Sequence, residues 1–129
     1  MTTNISYDGQ LTLSISISDL DAGIAWYESV LGFKLLYRMD DLGWCELSTG
    51  VDKVNVGLGV VEDIKPGGTT PTFGVADIEA ARSKLEAHEV KLDGDIMTIA
   101  DMVRRQTFYD PDGNPLMFAQ DLSGGTMGQ

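Results

Sequence analysis

The sequence predicts an α+β protein built from two tandem βαβββ modules. Together they would form a curved eight-stranded mixed sheet with the helices on its convex side. Three observations carry this expectation. An alternating segment, Leu11-Thr-Leu-Ser-Ile-Ser-Ile17, runs straight into a helix-start signal, and such alternation marks a strand with one buried face. The same order of elements then occurs a second time. Between the two copies lies a stretch holding Pro66, Gly67 and Gly68, which reads as a linker.

The elements run in order. In the first strand Leu11, Leu13, Ile15 and Ile17 form the apolar row, and Thr12, Ser14 and Ser16 the polar one. Ser18 and Asp19 supply an N-cap signal. A helix extends to Leu31, with Leu20, Ile24, Tyr27 and Leu31 on one side. Gly32 stops it. Phe33 to Met39 reads as a strand, and Asp40, Asp41 and Gly43 as a turn. Trp44 to Ser48 is the third strand. Thr49-Gly50 turns the chain into a fourth, Val54 to Val60, where Val54, Val56, Leu58 and Val60 alternate with Asn55, Gly57 and Gly59.

The second copy opens with Pro71, Phe73 and Val75 alternating with Thr72 and Gly74. Asp77 starts a helix carrying Ile78, Ala81, Leu85 and His88. Val90 to Ile99 is irregular and extended in places. Val103 to Tyr109 is a strand, Asp110-Pro-Asp-Gly-Asn114 a dense turn signal, and Leu116 to Ala119 the last strand. Asp19-Leu20 recurs as Asp77-Ile78. Leu31-Gly-Phe-Lys-Leu35 recurs as His88-Glu-Val-Lys-Leu92, so the first helix is one residue longer. The expected organisation is one domain over residues 1–129. It comprises a first module at about 9–61, a linker at 62–69, a second module at about 70–121 and a flexible tail at 122–129.

Composition excludes several functions. The chain has 129 residues, of which 43% are apolar and 22% charged, as in ordinary globular proteins. Cys45 is its one cysteine, so no intramolecular disulfide forms and a thiolate zinc site is disfavoured. His88 is its one histidine, so a site with two or three histidines cannot form within one chain. The net charge of −11 argues against nucleic acid and anionic membrane as partners. It permits a cationic ligand. No apolar run approaches the roughly 18 residues of a membrane helix. The N-terminus lacks the charged and apolar regions of a signal peptide, so the expected location is cytoplasmic.

The repeat, the helix motif Asp19-Leu-Asp-Ala-Gly-Ile-Ala-Trp-Tyr-Glu-Ser-Val-Leu-Gly-Phe33 and the turn Asp110-Pro-Asp-Gly-Asn114 together resemble the vicinal oxygen chelate superfamily. That group holds glyoxalases, bleomycin-resistance proteins and extradiol dioxygenases. The resemblance covers about residues 9–121. It implies paired modules, commonly a homodimer, and a cavity that holds a divalent ion in the metal-dependent members. The positions it assigns to metal ligands carry Thr12, Thr70 and Met117 here, with Asn55 or Gly57 from the fourth strand. None is a good ligand for such an ion, so no metal and no cofactor is expected.

Strand parity gives the expected lining of the concave face. If the apolar rows face the helices, Thr12, Ser14, Trp44, Glu46, Asn55, Gly57, Thr70, Thr72, Arg104 and Met117 form the ligand-binding cavity. Trp44 can stack on an aromatic or cationic ligand, or belong to the core or a dimer interface. Glu46 can bind a cation, act as a general base if burial raises its pKa, or be a plain carboxylate at a strand end. Arg104 and Arg105 are adjacent, so only one of them points inward. That one can bind a carboxylate or pair with Glu46, and it can equally be a solvated ion pair. The expected function is metal-independent binding of a cationic or aromatic small molecule, as in the bleomycin-resistance branch. A lyase, isomerase or dioxygenase with a nonstandard site is the alternative, and a peptide- or domain-binding module is a third.

Overall fold

Leu11–Ile17 forms strand β1, and its alternation decides which side is buried: Ile15 and Ile17 are covered while Thr12, Ser14 and Ser16 are exposed. The structure, a computed structural model, describes residues 8–122. Helix α1 (Leu20–Leu31) starts where Asp19 accepts the Ala22 amide at 2.8 Å, an N-cap bond that satisfies a free helix donor. It ends at Gly32, whose φ of 72° lets Phe33 donate back to the Tyr27 carbonyl. Strands β2 (Lys34–Met39), β3 (Trp44–Ser48) and β4 (Val54–Val60) complete the first unit. Its sheet order is β1-β4-β3-β2, with β1 and β4 parallel and the other pairs antiparallel.

Leu20, Ile24 and Tyr27 of α1 pack with Ile17, Cys45, Leu47, Val56 and Leu58, all of them buried. The approach is close. A Cβ on Gly23 would lie 2.6 Å from the Ile17 Cδ1 atom, so a larger residue there would push the end of that side chain aside. Leu31, expected on the same side, is half-buried.

The second unit repeats the order with β5 (Thr72–Gly74), α2 (Ile78–Ala87), β6 (Lys91–Leu92), β7 (Met97–Ile99), β8 (Val103–Tyr109) and β9 (Pro115–Asp121). Strand β5 pairs parallel with β9, β9 antiparallel with β8, and both β6 and β7 lie along the far side of β8. The fold is therefore α+β with two βαβββ units, as expected. The strand count differs: among the described residues there are nine strands in sheets of four and five, because the single irregular strand expected before Ile99 is broken in two. The break has a visible cause. The Gly94 carbonyl accepts from the Arg82 guanidinium at 3.1 Å and from the Gln106 amide at 3.2 Å, which takes it out of the β8 ladder. The chain divides into its two units between Ile64 and Lys65, inside the stretch that reads as a linker. The tail from Ser123 lies outside the described residues.

The two helix ends show the same backbone solution with different residues. Gly32 has φ 72°, and Glu89, which matches it in the repeat, has φ 56°. A side chain in the left-handed region costs about 1–2 kcal/mol, and glycine avoids that at some cost in chain entropy. Glu89→Gly is expected to leave stability unchanged or raise it by up to about 1 kcal/mol. A urea titration showing a clear loss would contradict this account of the helix end.

Candidate functional site

The face of the first sheet that turns away from α1 gathers six of the expected site residues. Thr12 and Ser14 come from β1, Asn55 and Gly57 from β4, and Trp44 and Glu46 from β3. The register sets Thr12 beside Asn55, Ser14 beside Gly57, and Gly57 beside Glu46. Directly paired residues share a face, so a polar surface spans the strands.

Glu46 is its centre. Oε2 accepts from the Asn55 amide at 3.0 Å and from the Thr12 hydroxyl at 3.2 Å, while Oε1 accepts from the Tyr37 hydroxyl at 2.8 Å. These bonds, that of Asn55 first, hold the carboxyl below its ordinary pKa and outweigh its modest burial. Glu46 is therefore ionised at neutral pH. Three bonds leave part of its acceptor capacity open, since an ionised carboxylate offers about four lone-pair directions.

Trp44 lies across the glycines of β4. A Cβ on Gly57 would fall 2.1 Å from the indole Cη2, and one on Gly59 would fall 3.5 Å from Cε3. Its ring nitrogen donates to the Tyr37 hydroxyl oxygen at 3.1 Å, and Tyr37 donates onward to Glu46. Both the height and the rotation of the indole are thus fixed, the first by bare glycine backbone and the second by an edge hydrogen bond.

Tyr37 is the residue that sequence reasoning missed. Leu35 pairs with Leu47, yet Tyr37 pairs with Glu46, so Leu36 is an extra residue in β2. This β-bulge reverses the parity of the rest of the strand. Without it Tyr37 would join the helix side. With it, Tyr37 reaches the open face and Arg38 turns to the helix side, where it meets Asp21 of α1 at 2.9 Å. The signal in the sequence is slight: Leu35-Leu36, two apolar residues in succession, break the alternation.

In the second unit Thr72 pairs with Met117, Met117 with Thr107, and Ala119 with Arg105, which places these on one face. Thr70 precedes β5, and its carbonyl accepts from the Thr72 hydroxyl at 3.2 Å. Arg104 is a correction to the expected lining. It sits on the α2 side, where its guanidinium meets Glu79 of the helix's first turn at 2.6 Å. Gln120, its partner across β9, accepts the Ile78 amide of the same helix at 2.8 Å. Arg105 is the member of the pair that faces away from α2.

The positions given by the resemblance do not fit a divalent ion. The Thr12 hydroxyl and the Asn55 amide already serve Glu46. Thr70, Gly57 and Met117 offer a hydroxyl, no side-chain donor and a thioether. Among the described residues no three of His, Cys, Asp and Glu stand together as a metal-binding group. Cys45 is fully buried on the helix side, and burial pushes its thiol pKa up, which makes it unreactive. His88 caps the C-terminus of α2, away from these strands' polar surface. Trp26 stacks edge-on against buried Tyr27, with centroids 4.8 Å apart, so both belong to the packing of α1. Among the described residues no helix is long and apolar enough to cross a membrane.

Two βαβββ units with this strand order and a polar open face define a protein of the paired-module α+β class. The chain belongs to the Glyoxalase/Bleomycin resistance protein/Dioxygenase superfamily, whose sequence pattern matches residues 9–118. Among solved structures it is similar to a member of that superfamily from Sphaerobacter thermophilus, with TM-score 0.76 and 26% identity over 91% of this chain and 98% of the other. It is also similar to TnmS3, an antibiotic binding protein from Streptomyces sp. CB03234, with TM-score 0.73 and 22% identity over 93% and 99%. A third similar structure is TioX from Micromonospora sp. ML1, with TM-score 0.70 and 19% identity over 88% and 98%. No curated protein matches the chain.

Proposed function

We propose that the protein binds a cationic, aromatic small molecule without a metal, on the open face that carries Trp44 and Glu46. The observation that carries this reading is the pairing of an orientation-locked indole with an ionised carboxylate through one shared hydroxyl, that of Tyr37. An aromatic face attracts a cation by about 0.5–2 kcal/mol, depending on how dry the contact is. The ionised carboxylate of Glu46 adds a second, Coulombic attraction. The antibiotic-binding description of TnmS3 supports the reading at the level of the fold. The acidic balance of the chain favours a cation as well.

Thr12, Asn55 and Tyr37 serve here by holding Glu46, while Ser14 and the glycines of β4 leave room. We take the working form to be a homodimer in the cytoplasm, and the exposed Leu36, Met39 and Leu42 at and after β2 support burial by a second copy.

The enzyme alternative is weaker because Glu46 is a poor general base. A base at neutral pH needs a raised pKa, and the Asn55, Tyr37 and Thr12 bonds lower it.

The test uses N-methylquinolinium and 1-methylnaphthalene, which share a shape and differ in charge. The cation is expected to quench Trp44 emission and to bind about 10-fold or more tightly than the hydrocarbon. Glu46→Gln should narrow that difference to what the Trp44 face alone supplies. The lowered pKa sets the sign of the pH dependence. Affinity for the cation should stay level from about pH 8 to pH 5 and fall only below the usual carboxylate range, as Glu46 takes up its proton. Equal binding of the two probes, or a drop in affinity near neutral pH, would sink the proposal. Stabilisation by Zn²⁺ or Mn²⁺ in a thermal melt would transfer support to the enzyme.

A further inference from the structure

Arginines in this chain find carboxylates, with one exception. Arg38 meets Asp21 and Asp40 at 2.9 and 2.6 Å, Arg82 meets Glu86 at 3.5 Å, and Arg104 meets Glu79 at 2.6 Å. Arg105 has no carboxylate at ion-pair distance among the described residues. Its Nη2 donates to the Met97 sulfur at 3.3 Å, a weak acceptor. Its Nε is buried and has no hydrogen-bond partner. In a chain with 20 acidic residues against 9 basic ones, an arginine left without an acid needs an explanation. Buried donors are nearly always satisfied, and a charged one left unmet is costly.

The surroundings say what countercharge would suit this guanidinium. Arg105 projects from β8 on the face opposite α2, paired with Met97 of β7 on one side and Ala119 of β9 on the other. Met117 lies one pair further along the same face, and Met97 is 56% exposed. The guanidinium thus sits beside a thioether and a methyl group, with its Nε closed off by the protein, so an anion from solution meets the two Nη groups at its end. Those two groups can make two parallel bonds to a planar, singly charged anion.

We infer that Arg105 anchors the carboxylate of an amphiphilic small molecule whose apolar part lies on Met97, Met117 and Ala119. A carboxylate is favoured over a phosphate because one guanidinium balances one charge, and the overall charge of −11 opposes a second. Adaptable methionines accept an apolar tail of variable shape. The inference is independent of the reading of Trp44 and Glu46, which lie in the other unit.

The test is an NMR titration of the full chain with 4-phenylbutyrate, with 4-phenylbutan-1-ol and inorganic phosphate as comparisons. Phenylbutyrate is expected to shift the Arg105 Nε–H resonance and the Met97 and Met117 methyl resonances together. The alcohol and phosphate should each bind at least about 10-fold more weakly. Arg105→Met should weaken phenylbutyrate by about 10- to 100-fold. Arg105→Lys, which retains the charge without the fork, should fall between, and it carries the test if the Met variant misfolds. The inference is overturned if phenylbutyrate leaves the Arg105 resonance unmoved, if the alcohol or phosphate binds as well, or if Arg105→Lys binds like the parent.

Discussion

Asp110→Ala is expected to cost about 2–4 kcal/mol of folding stability and to lower the melting point by on the order of 10 °C. Asp110 is 4% exposed and closes the turn between β8 and β9 from within. Its Oδ1 accepts the amides of Asp112 at 2.9 Å and Asn114 at 2.8 Å, and its Oδ2 accepts the Asn114 side-chain amide at 2.8 Å. Alanine leaves all of these donors without that acceptor, and a buried unmet donor costs about 1–3 kcal/mol. Asp112 is only half-buried, so water recovers part of the loss there. Asp110→Asn makes the argument sharper. It keeps an acceptor for the backbone amides but sets an NH₂ group against the Asn114 amide, so its loss should be intermediate. Urea unfolding of the two variants measures both. A change within about 0.5 kcal/mol for Asp110→Ala would mean that the turn does not depend on this carboxylate.

The first unit makes the same connection, between β3 and β4, with a lighter device. Thr49 accepts the Val51 amide at 3.1 Å and donates to the Val54 carbonyl at 2.7 Å. The difference explains why one turn announces itself in the sequence and the other does not. Asp-Pro-Asp-Gly-Asn is dense in residues with turn chemistry, whereas Thr-Gly is common in many settings. Strands with clean alternation were equally legible: β1, β3 and β4 have the bounds read from the sequence. So were the helix starts, because Asp19 and Asp77 precede apolar faces and cap through their side chains. Legibility stopped where long-range bonds overrode local pattern. The split of β6 from β7 depends on Arg82 and Gln106 reaching Gly94 from elsewhere in the chain.

The open face divides the same way. Parity alone brought Thr12, Ser14, Trp44, Glu46, Asn55 and Gly57 together, because β1, β3 and β4 hold their register throughout. Tyr37 was hidden by the bulge at Leu36, which a two-residue period cannot anticipate. The choice between Arg104 and Arg105 was hidden for a different reason. The two are adjacent on one strand, and the register that buries Gln106 and Phe108 carries Arg104 to the same side, where Glu79 of α2 meets it.

Gly57→Ala should displace the Trp44 indole, and Gly59→Ala should leave it in place. The two glycines stand on the same face of β4, two residues apart, yet their Cβ positions differ in what they meet. At Gly57 the added atom would lie 2.1 Å from Cη2 and 2.4 Å from Cζ2 of Trp44. At Gly59 it would lie 3.5 Å from Cε3 and 3.7 Å from Cζ3, ordinary contact distances. The backbone at Gly57 cannot yield easily, because it is paired with Ser14 of β1 and Glu46 of β3 at once. The ring must therefore lift or swing, and either motion strains its 3.1 Å bond to Tyr37. Overpacking of this kind costs about 1–3 kcal/mol in stability. In a Trp26→Phe background, Trp44 emission should change wavelength in Gly57→Ala and hold steady in Gly59→Ala. Binding of N-methylquinolinium should fall about 10-fold or more in the first variant and by less than about 2-fold in the second. Neither substitution alters Glu46 itself, so a loss confined to Gly57→Ala would assign the affinity to the placement of the indole. If both variants bind like the parent, the cation does not rest on Trp44, and the carboxylate would have to account for binding alone.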